Sequence, residues 1–262
     1  MTQYSHLPQF TFLFLPSDDP SVLLRSGSLF DGDHFLCLFE HPPTYTVGIR
    51  QDQYSEEQAQ RLRALGAEFH RQIEKELRND KSLPIDRIKR GGLITFHGPG
   101  QLVAYPVFNL RKLSPDGKSN GLGVRRFVEL VEEVLIQMLE CDFGLKGVGR
   151  TRDPGVWVDG IRKVAAIGIQ VRHGVISHGL ALNCDTDLGW FDHIVPCGLH
   201  GKLVTSISKE LSRPVSVSEA IGPICSQFEK HFKVPVLLEE GHRAETFLSE
   251  CIGAEGRRET LF

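Results

Sequence analysis

The 262-residue chain lacks several features that mark whole classes of protein. Its six cysteines, Cys37, Cys141, Cys184, Cys197, Cys225 and Cys251, contain no C-x-x-C pair. The chain is also far longer than the scaffolds that disulfides hold together, so reduced thiols in an intracellular setting are expected. There is no excess of positive charge: 30 Lys and Arg stand against 33 Asp and Glu, a net of -3. Such a balance offers no general field to a phosphate backbone, and nucleic acid is not an expected partner. No apolar run approaches the roughly 18 to 20 residues that cross a bilayer, so a soluble protein with no membrane partner is expected. A G-x-x-x-x-G-K-[ST] phosphate loop is missing, which leaves nucleotide hydrolysis without a motif. The first 24 residues hold no Lys or Arg and include Asp18 and Asp19, a pattern of neither a secretory signal nor an Arg-rich transit peptide.

What is present supports one large core, with 40% hydrophobic and 24% charged residues, and that size needs no staples. Phe10 to Leu15 and Phe35 to Phe39 are short apolar runs bounded by Pro, Asp and Gly and read as buried strands; Pro42-Pro43 breaks the chain before a Thr44 to Val47 strand. Ser55 with Gln58 forms a capping box for a helix ended by Gly66. Residues 70 to 89 are dense in charge and read as a solvated excursion. Leu102 to Leu110 is strand-like. After the 114 to 123 turn region, Phe127, Leu130, Val131, Val134, Leu135, Met138 and Leu139 recur at helical spacing on one buried face. Val156 to Val158, Asp159-Gly160 and Ile161 to Val171 predict a hairpin, and His173-Gly174 turns the chain into Val175 to Leu182. Ser216 with Glu219 caps a last helix reaching about Phe232. The mixture lacks βαβ alternation, so an α+β fold with a mixed, largely antiparallel sheet is expected. We read 1 to 262 as a single domain, with a catalytic core over about 33–215 and a C-terminal helical extension over about 216–252.

Three clusters carry chemistry. Arg90 to Gln101 packs four glycines, a proline, a histidine and an arginine into one stretch, a composition that brings backbone close to a ligand or merely makes a tight inter-strand turn. Lys163 opens the run Val164-Ala165-Ala166-Ile167-Gly168; read alone it is a solvated strand-end lysine, and in a cavity it becomes a proton carrier. Ile194-Val195-Pro196-Cys197-Gly198 places a thiol between a stiffening proline and a glycine that leaves backbone N–H groups open, as an acyl-accepting nucleophile needs. Taken alone, Cys197 is more often an inert core thiol, and a zinc site with His193, His200 and Cys184 would need a spacing outside the well-attested finger patterns.

Together the segments RGGLITFHGPGQ (90–101), KVAAIG (163–168), SHGLALNC (177–184) and IVPCG (194–198) resemble the lipoyl(octanoyl) transferase family, most closely its eukaryotic, mitochondrial branch, over roughly residues 40 to 210. The resemblance implies the α+β catalytic domain shared with biotin and lipoate protein ligases. It implies an acyltransferase that moves an octanoyl group from octanoyl-acyl carrier protein to a lysine of lipoyl domains, those of 2-oxoacid dehydrogenases and the glycine cleavage H protein, with no cofactor and no metal. Cys197 matches the acyl-thioester nucleophile and Lys163 the lysine that lowers its pKa. Arg90, Gly91, Gly92, Leu93, Ile94, Thr95, Phe96 and His97 match a substrate-binding segment, as do Ala166, Ile167 and Gly168, and Gly179, Leu180 and Ala181; His178 is expected to orient polar atoms. Arg87, Lys89, Arg90, Arg150, Arg152, Arg162 and Arg172 are expected either as a basic rim for acidic partners or as scattered solvated charges. A mitochondrial matrix address, or a bacterial cytoplasm, follows from the resemblance. The alternatives in function are an ATP-dependent lipoate or biotin protein ligase of the same fold and a non-catalytic binding domain.

Overall fold

The computed structural model describes residues 10–14, 34–41, 43–49, 85–87, 89–115, 121–194, 202–233 and 236–240. Strand β2 (His34–Phe39) is buried at every position and lies between β1 and β6 inside the sheet; a nearly unbroken apolar run is what such a strand requires. Around it run β1 (Phe10–Phe14), β6 (Gln101–Asn109), β8 (Val156–Val158), β9 (Arg162–Arg172) and β10 (Val175–Asn183). With β7 (Val148–Gly149) and β12 (Val236–Glu240), the order across the described sheet is β12-β1-β2-β6-β10-β9-β8-β7, and β11 (Leu203–Val204) joins the side of β9. β1 is parallel to both its neighbours and β11 is parallel to β9; the other pairings are antiparallel. The sheet is thus mixed, as the sequence predicts. β12 amends the reading of 216–252 as a helical extension: beyond the helix that ends at Phe232, residues 236–240 add a strand beside β1, a non-local pairing that local periodicity does not report.

The β8-β9-β10 meander follows its turn residues. His173 and Gly174 both take positive φ (52° and 88°), the backbone of a two-residue hairpin turn that matches strand twist. Asp159 (51°) and Gly160 (67°) do the same within a three-residue connection closed by Ile161 N–H donating to Val158 O.

Helix α1 (Val124–Gln137) runs on through a π turn, Met138–Asp142. All seven apolar residues of its predicted face are buried. Helix α2 (Ile207–Leu211) is short, and α3 (Val217–Phe232) starts at Ser216, whose hydroxyl accepts from Glu219 N–H. The Glu219 carboxylate turns instead to Arg213, so only half of the predicted capping box forms. α1 and α3 cover the sheet through Phe108, Phe127, Phe228 and Phe232, which meet edge-on, tilted or stacked at centroid distances of 5.3 to 6.3 Å, arrangements that aromatic quadrupoles favour.

A second, small sheet orders β4 (Ile85–Arg87), β3 (Thr44–Val47) and β5 (Ile94–His97). β4 corrects the end of the supposed solvated excursion: 85–87 pairs parallel with β3, again a non-local contact. The helix expected at 58–65, and residues 70–84 and 88 of that excursion, lie outside the described residues, whereas Lys89 is exposed. Tyr45, Val47, Ile94, Phe96 and Phe191 make this sheet's own core, with Trp190 stacked on Phe96. Phe191 and Trp190 belong to the 3₁₀ turn Leu188–His193, which Tyr45 Oη pins by donating to Trp190 O.

Candidate active site

The site begins with a lapse in the main sheet. β6 and β10 pair at 108–109 with 175–176 and again at 101–104 with 180–183, but not at 105–107 opposite 177–179. Pro106, which has no N–H to donate, sits in that gap. Opposite it, His178 takes a positive φ of 57°, a costly conformation for a side chain with a Cβ and a sign of local constraint. Gly179 follows because a Cβ there would collide with Ala104 O.

A half-open cavity lies over this gap, with about 490 Å³ of space once its solvent-filled mouth is included. Val103 and Tyr105 of β6, Ala166 to Gly168 of β9 and His178 to Ala181 of β10 form its floor and one wall. Arg90, Gly91, Gly92, Thr95 and His97 form the other. This second wall is laid on the sheet by Gly91 N–H donating to Ile169 O. The approach is so close that a Cβ on Gly168 would lie 2.9 Å from Gly91 O. Of the predicted 90–97 segment, Thr95 and His97 face the cavity, whereas Ile94 and Phe96 point to the small sheet's core and Leu93 does not line the space. Period-two alternation along β5 separates them. Val103, Tyr105 and His41 were not singled out from the sequence; the alternation of Val103 with Tyr105 on β6 carried the signal for two of them.

The cavity is polar at one end. Arg90 is 7% exposed, and its guanidinium donates to Thr46 O and Oγ1 (2.6 and 2.9 Å from Nη2) and to Gly91 O (3.0 Å). That removes Arg90 from the expected basic rim. Burial lowers the pKa of His178 to about 4 and of His97 to about 3, with the Arg90 charge adding to both; burial alone takes His41 to about 4. A fixed cation among neutral imidazoles results. His41 Nε2 and Tyr105 Oη are 2.8 Å apart, and burial raises the Tyr105 phenol well above its usual range.

Lys163 is 8% exposed and not the solvated strand-end lysine that the sequence alone suggests. Nζ donates to Pro154 O (3.1 Å) and lies 4.6 Å from the centroid of the Trp157 ring. Pro154 belongs to a loop held by Glu132 of α1: its Oε1 accepts from Gly155 N–H and its Oε2 from Arg150 Nε, both at 3.0 Å. Arg150 also binds Glu133, and Arg162 binds Glu210 and Asp159. These two arginines are internally paired, so the basic-rim reading fails for them as well.

The described chain stops at Ile194, packed against the small sheet's core, and resumes at Lys202, whose Nζ lies 5.4 Å from the Trp157 centroid. Cys197 and His200, and the side chain of His193, fall outside the described residues. Cys184 is a core residue whose thiol burial pushes to about 12. Among the described residues no group of three or more His, Cys, Asp or Glu is placed to hold a metal ion.

Residues 21–229 match the model of the lipoyl protein ligase A/B catalytic domain. The chain belongs to that family. It is 44% identical over 225 residues, 85% of each chain, to the octanoyl-[acyl-carrier-protein]:protein N-octanoyltransferase LIPT2, mitochondrial, of Homo sapiens. It is 45% identical over 186 residues to an octanoyltransferase of Desulfotalea psychrophila, covering 71% of this chain and 72% of that protein. Among solved structures, an archaeal bi-partite lipoate protein ligase studied with its E2 lipoyl domain, from Thermoplasma acidophilum, superposes with a TM-score of 0.63 at 13% identity, over 98% of this chain and 100% of that one. The α+β ligase-type fold expected from the motifs is therefore the observed one.

Proposed function

We propose that this lipoyl protein ligase A/B family member transfers an octanoyl group from octanoyl-acyl carrier protein to the ε-amine of a lysine on lipoyl domains. Members named octanoyltransferase, at 44% and 45% identity, support the reaction. The observation that carries it is a cavity walled by the three motif segments and floored by apolar groups. Burying about seven methylene-sized units there, at about 0.8 kcal/mol each, contributes roughly 5 kcal/mol toward holding an eight-carbon chain over a very short one.

Cys197 is the nucleophile in this reading. Its thiolate attacks the thioester carbonyl carbon, the bond from that carbon to the carrier's sulfur breaks, and the leaving thiolate takes a proton from the Lys163 ammonium. The acceptor amine reaches the site as an ammonium and gives a proton to Lys163. It then attacks the acyl carbon, a C–N bond forms, the bond to Cys197 breaks, and the second proton lost on amide formation passes to solvent. Support for the pair comes from Lys202, where the described chain resumes after Cys197, because its ammonium shares the Trp157 ring with that of Lys163. The Arg90 cation at the polar end favours negative charge developing on the acyl oxygen. The acceptors are lipoyl domains of 2-oxoacid dehydrogenases and the glycine cleavage H protein. Relatives named mitochondrial support a matrix address, and bacterial ones keep a bacterial cytoplasm as the other setting.

Intact-mass spectrometry tests this. Wild type incubated with octanoyl-acyl carrier protein and no ATP should gain one octanoyl group and lose it to an acceptor domain, whereas Cys197→Ala should gain none. Absence of the adduct on folded wild type would falsify the transferase reading and favour the ATP-dependent ligase.

A further inference from the structure

One chain of buried polar groups is not used by the mechanism above. It starts at Thr205, whose carbonyl oxygen has no hydrogen to give. Asn183 Nδ2 donates to Thr205 O at 2.9 Å, so Asn183 Oδ1 is the atom turned toward Gln101. Gln101 Nε2 donates to that oxygen at 2.8 Å and to Phe96 O at 3.2 Å. Both amide hydrogens of Gln101 are thereby committed to acceptor-only atoms, and flipping either amide would set oxygen against oxygen. Gln101 Oε1 is therefore the atom 2.8 Å from His97 Nδ1, and an amide oxygen only accepts. Nδ1 must carry the hydrogen, which leaves a lone pair on Nε2 of a neutral ring. Burial and the neighbouring Arg90 and His41 keep that ring neutral. The other end of the chain reaches the strand of the catalytic lysine, because Thr205 N–H donates to Lys163 O at 2.9 Å.

We propose that Gln101 and Asn183 are positioning residues that lock His97 in its Nδ1–H form, so that Nε2 faces the cavity as a hydrogen-bond acceptor for an N–H group held beside the acyl carbonyl. The proposal rests on the octanoyl-transfer reading. Gln101 and Asn183 occupy the Nδ1 side and do not line the cavity, whereas His97 does. In the proposed reaction two groups offer such an N–H: an amide of the carrier's pantetheine arm in the loading step, and the lysine amine of the acceptor in the discharge step. The ring is too weak a base to keep the proton. It orients the donor, and the proton leaves through Lys163 as described.

The first measurement is the tautomer itself, read by two-bond proton–nitrogen correlation on the full chain labelled with nitrogen-15 histidine. Wild type should show His97 with a proton-bearing Nδ1 and a bare Nε2, unchanged from about pH 8 to pH 5.5. The charged or titratable groups around it are His41 after β2, Arg90 before β5, His178 on β10 and Tyr105 on β6. Of these only Arg90 is charged over that range. In Gln101→Met the lock is lost, and a mixed or Nε2–H form should appear. Wild-type His97 found as the Nε2–H form would overturn the proposal regardless of activity.

Loading and discharge are then timed separately by intact mass. His97→Phe should slow one of them about tenfold, the worth of one hydrogen bond, and His97→Gln, whose amide oxygen can stand where Nε2 stands, should recover to within about threefold. A defect in loading alone assigns the N–H to the pantetheine arm, and one in discharge alone to the lysine amine. Unchanged rates in both steps for His97→Phe would overturn the proposal. Failure of wild type to form any acyl-enzyme would sink the transferase reading instead, and the tautomer measurement would still decide whether Gln101 and Asn183 set the histidine.

Discussion

Lys163 and Lys202 direct their ammonium groups at one indole, that of the fully buried Trp157, at 4.6 and 5.4 Å from its centroid. The ring face attracts both cations, and the ring itself is fixed by Nε1–H donating to Asp153 O. Strand β9 and the residue that leads into β11 are thus tied to one rigid side chain, which joins a packing element of the main core to the proton carrier of the proposed reaction.

Lys163→Arg and Lys163→Met should fail differently. Arginine keeps a cation over Trp157 but does not release its proton at any working pH. A thiolate can still be held and acylated, so the acyl-enzyme should accumulate while its discharge to the acceptor slows by about a hundredfold or more, the usual worth of a positioned proton carrier. Methionine should suppress loading as well. Intact mass with time separates the two, and equal loading by both variants would contradict the proton role.

Glu132→Ala should loosen the loop that presents Pro154 O to Lys163. Removing the carboxylate strands the buried Gly155 N–H, at a cost of about 1–3 kcal/mol, readable as a lower midpoint in urea. Because the loop is also half of the Lys163 cradle, acyl-enzyme formation should slow together with the stability loss. A destabilised but fully active variant would separate the loop from the site.

Gly168→Ala puts a methyl 2.9 Å from Gly91 O. Since Gly91 N–H is bonded to Ile169 O, the 90–93 wall must shift and that bond must weaken. The expected outcome is a raised KM for the octanoyl donor with a smaller change in kcat, and a stability loss of about 1 kcal/mol. An unchanged KM would show that the wall does not bound the acyl site.

Acid should weaken the fold through its buried histidines. His34, His41 and His178 are held to about 4 and His97 to about 3, against an ordinary value of 6.5. The folded state therefore binds fewer protons than the unfolded state between those values and 6.5, and stability falls as pH drops through that window. Above pH 6.5 these groups contribute full stability. Below it each costs up to about 1.4 kcal/mol per pH unit until its folded value is reached. Urea midpoints that stay level from pH 7 to 4.5 would refute this.

The sequence exposed what is local. The helical face of Phe127 to Leu139, the Asp-Gly and His-Gly turns and the unbroken run of β2 were legible because spacing and turn chemistry act over a few residues. The segments 90–97, 166–168 and 179–181 were legible as motifs, and they meet in one cavity. What stayed hidden needed distant partners: β4 against β3, β12 beside β1, and the burial of Lys163, which depends on a carbonyl at Pro154 and a ring at Trp157. His178 was expected to orient polar atoms, but its positive φ was hidden, since nothing in the sequence around it declares that Pro106 of another strand opens the ladder opposite.

The parallel pairing of β1 with β12 has a consequence in time as well as in space. β1 finds one neighbour nearby, β2, but its outer neighbour, β12, is synthesised more than 200 residues later. Closing so long a loop is slow and gives nothing back until both strands are present. A ribosome-bound chain can therefore build the inner meander but not finish its edge. During synthesis, and during any passage through a narrow pore, β1 has an unpaired rim of peptide groups, the kind of edge that chaperones shield and that aggregation exploits.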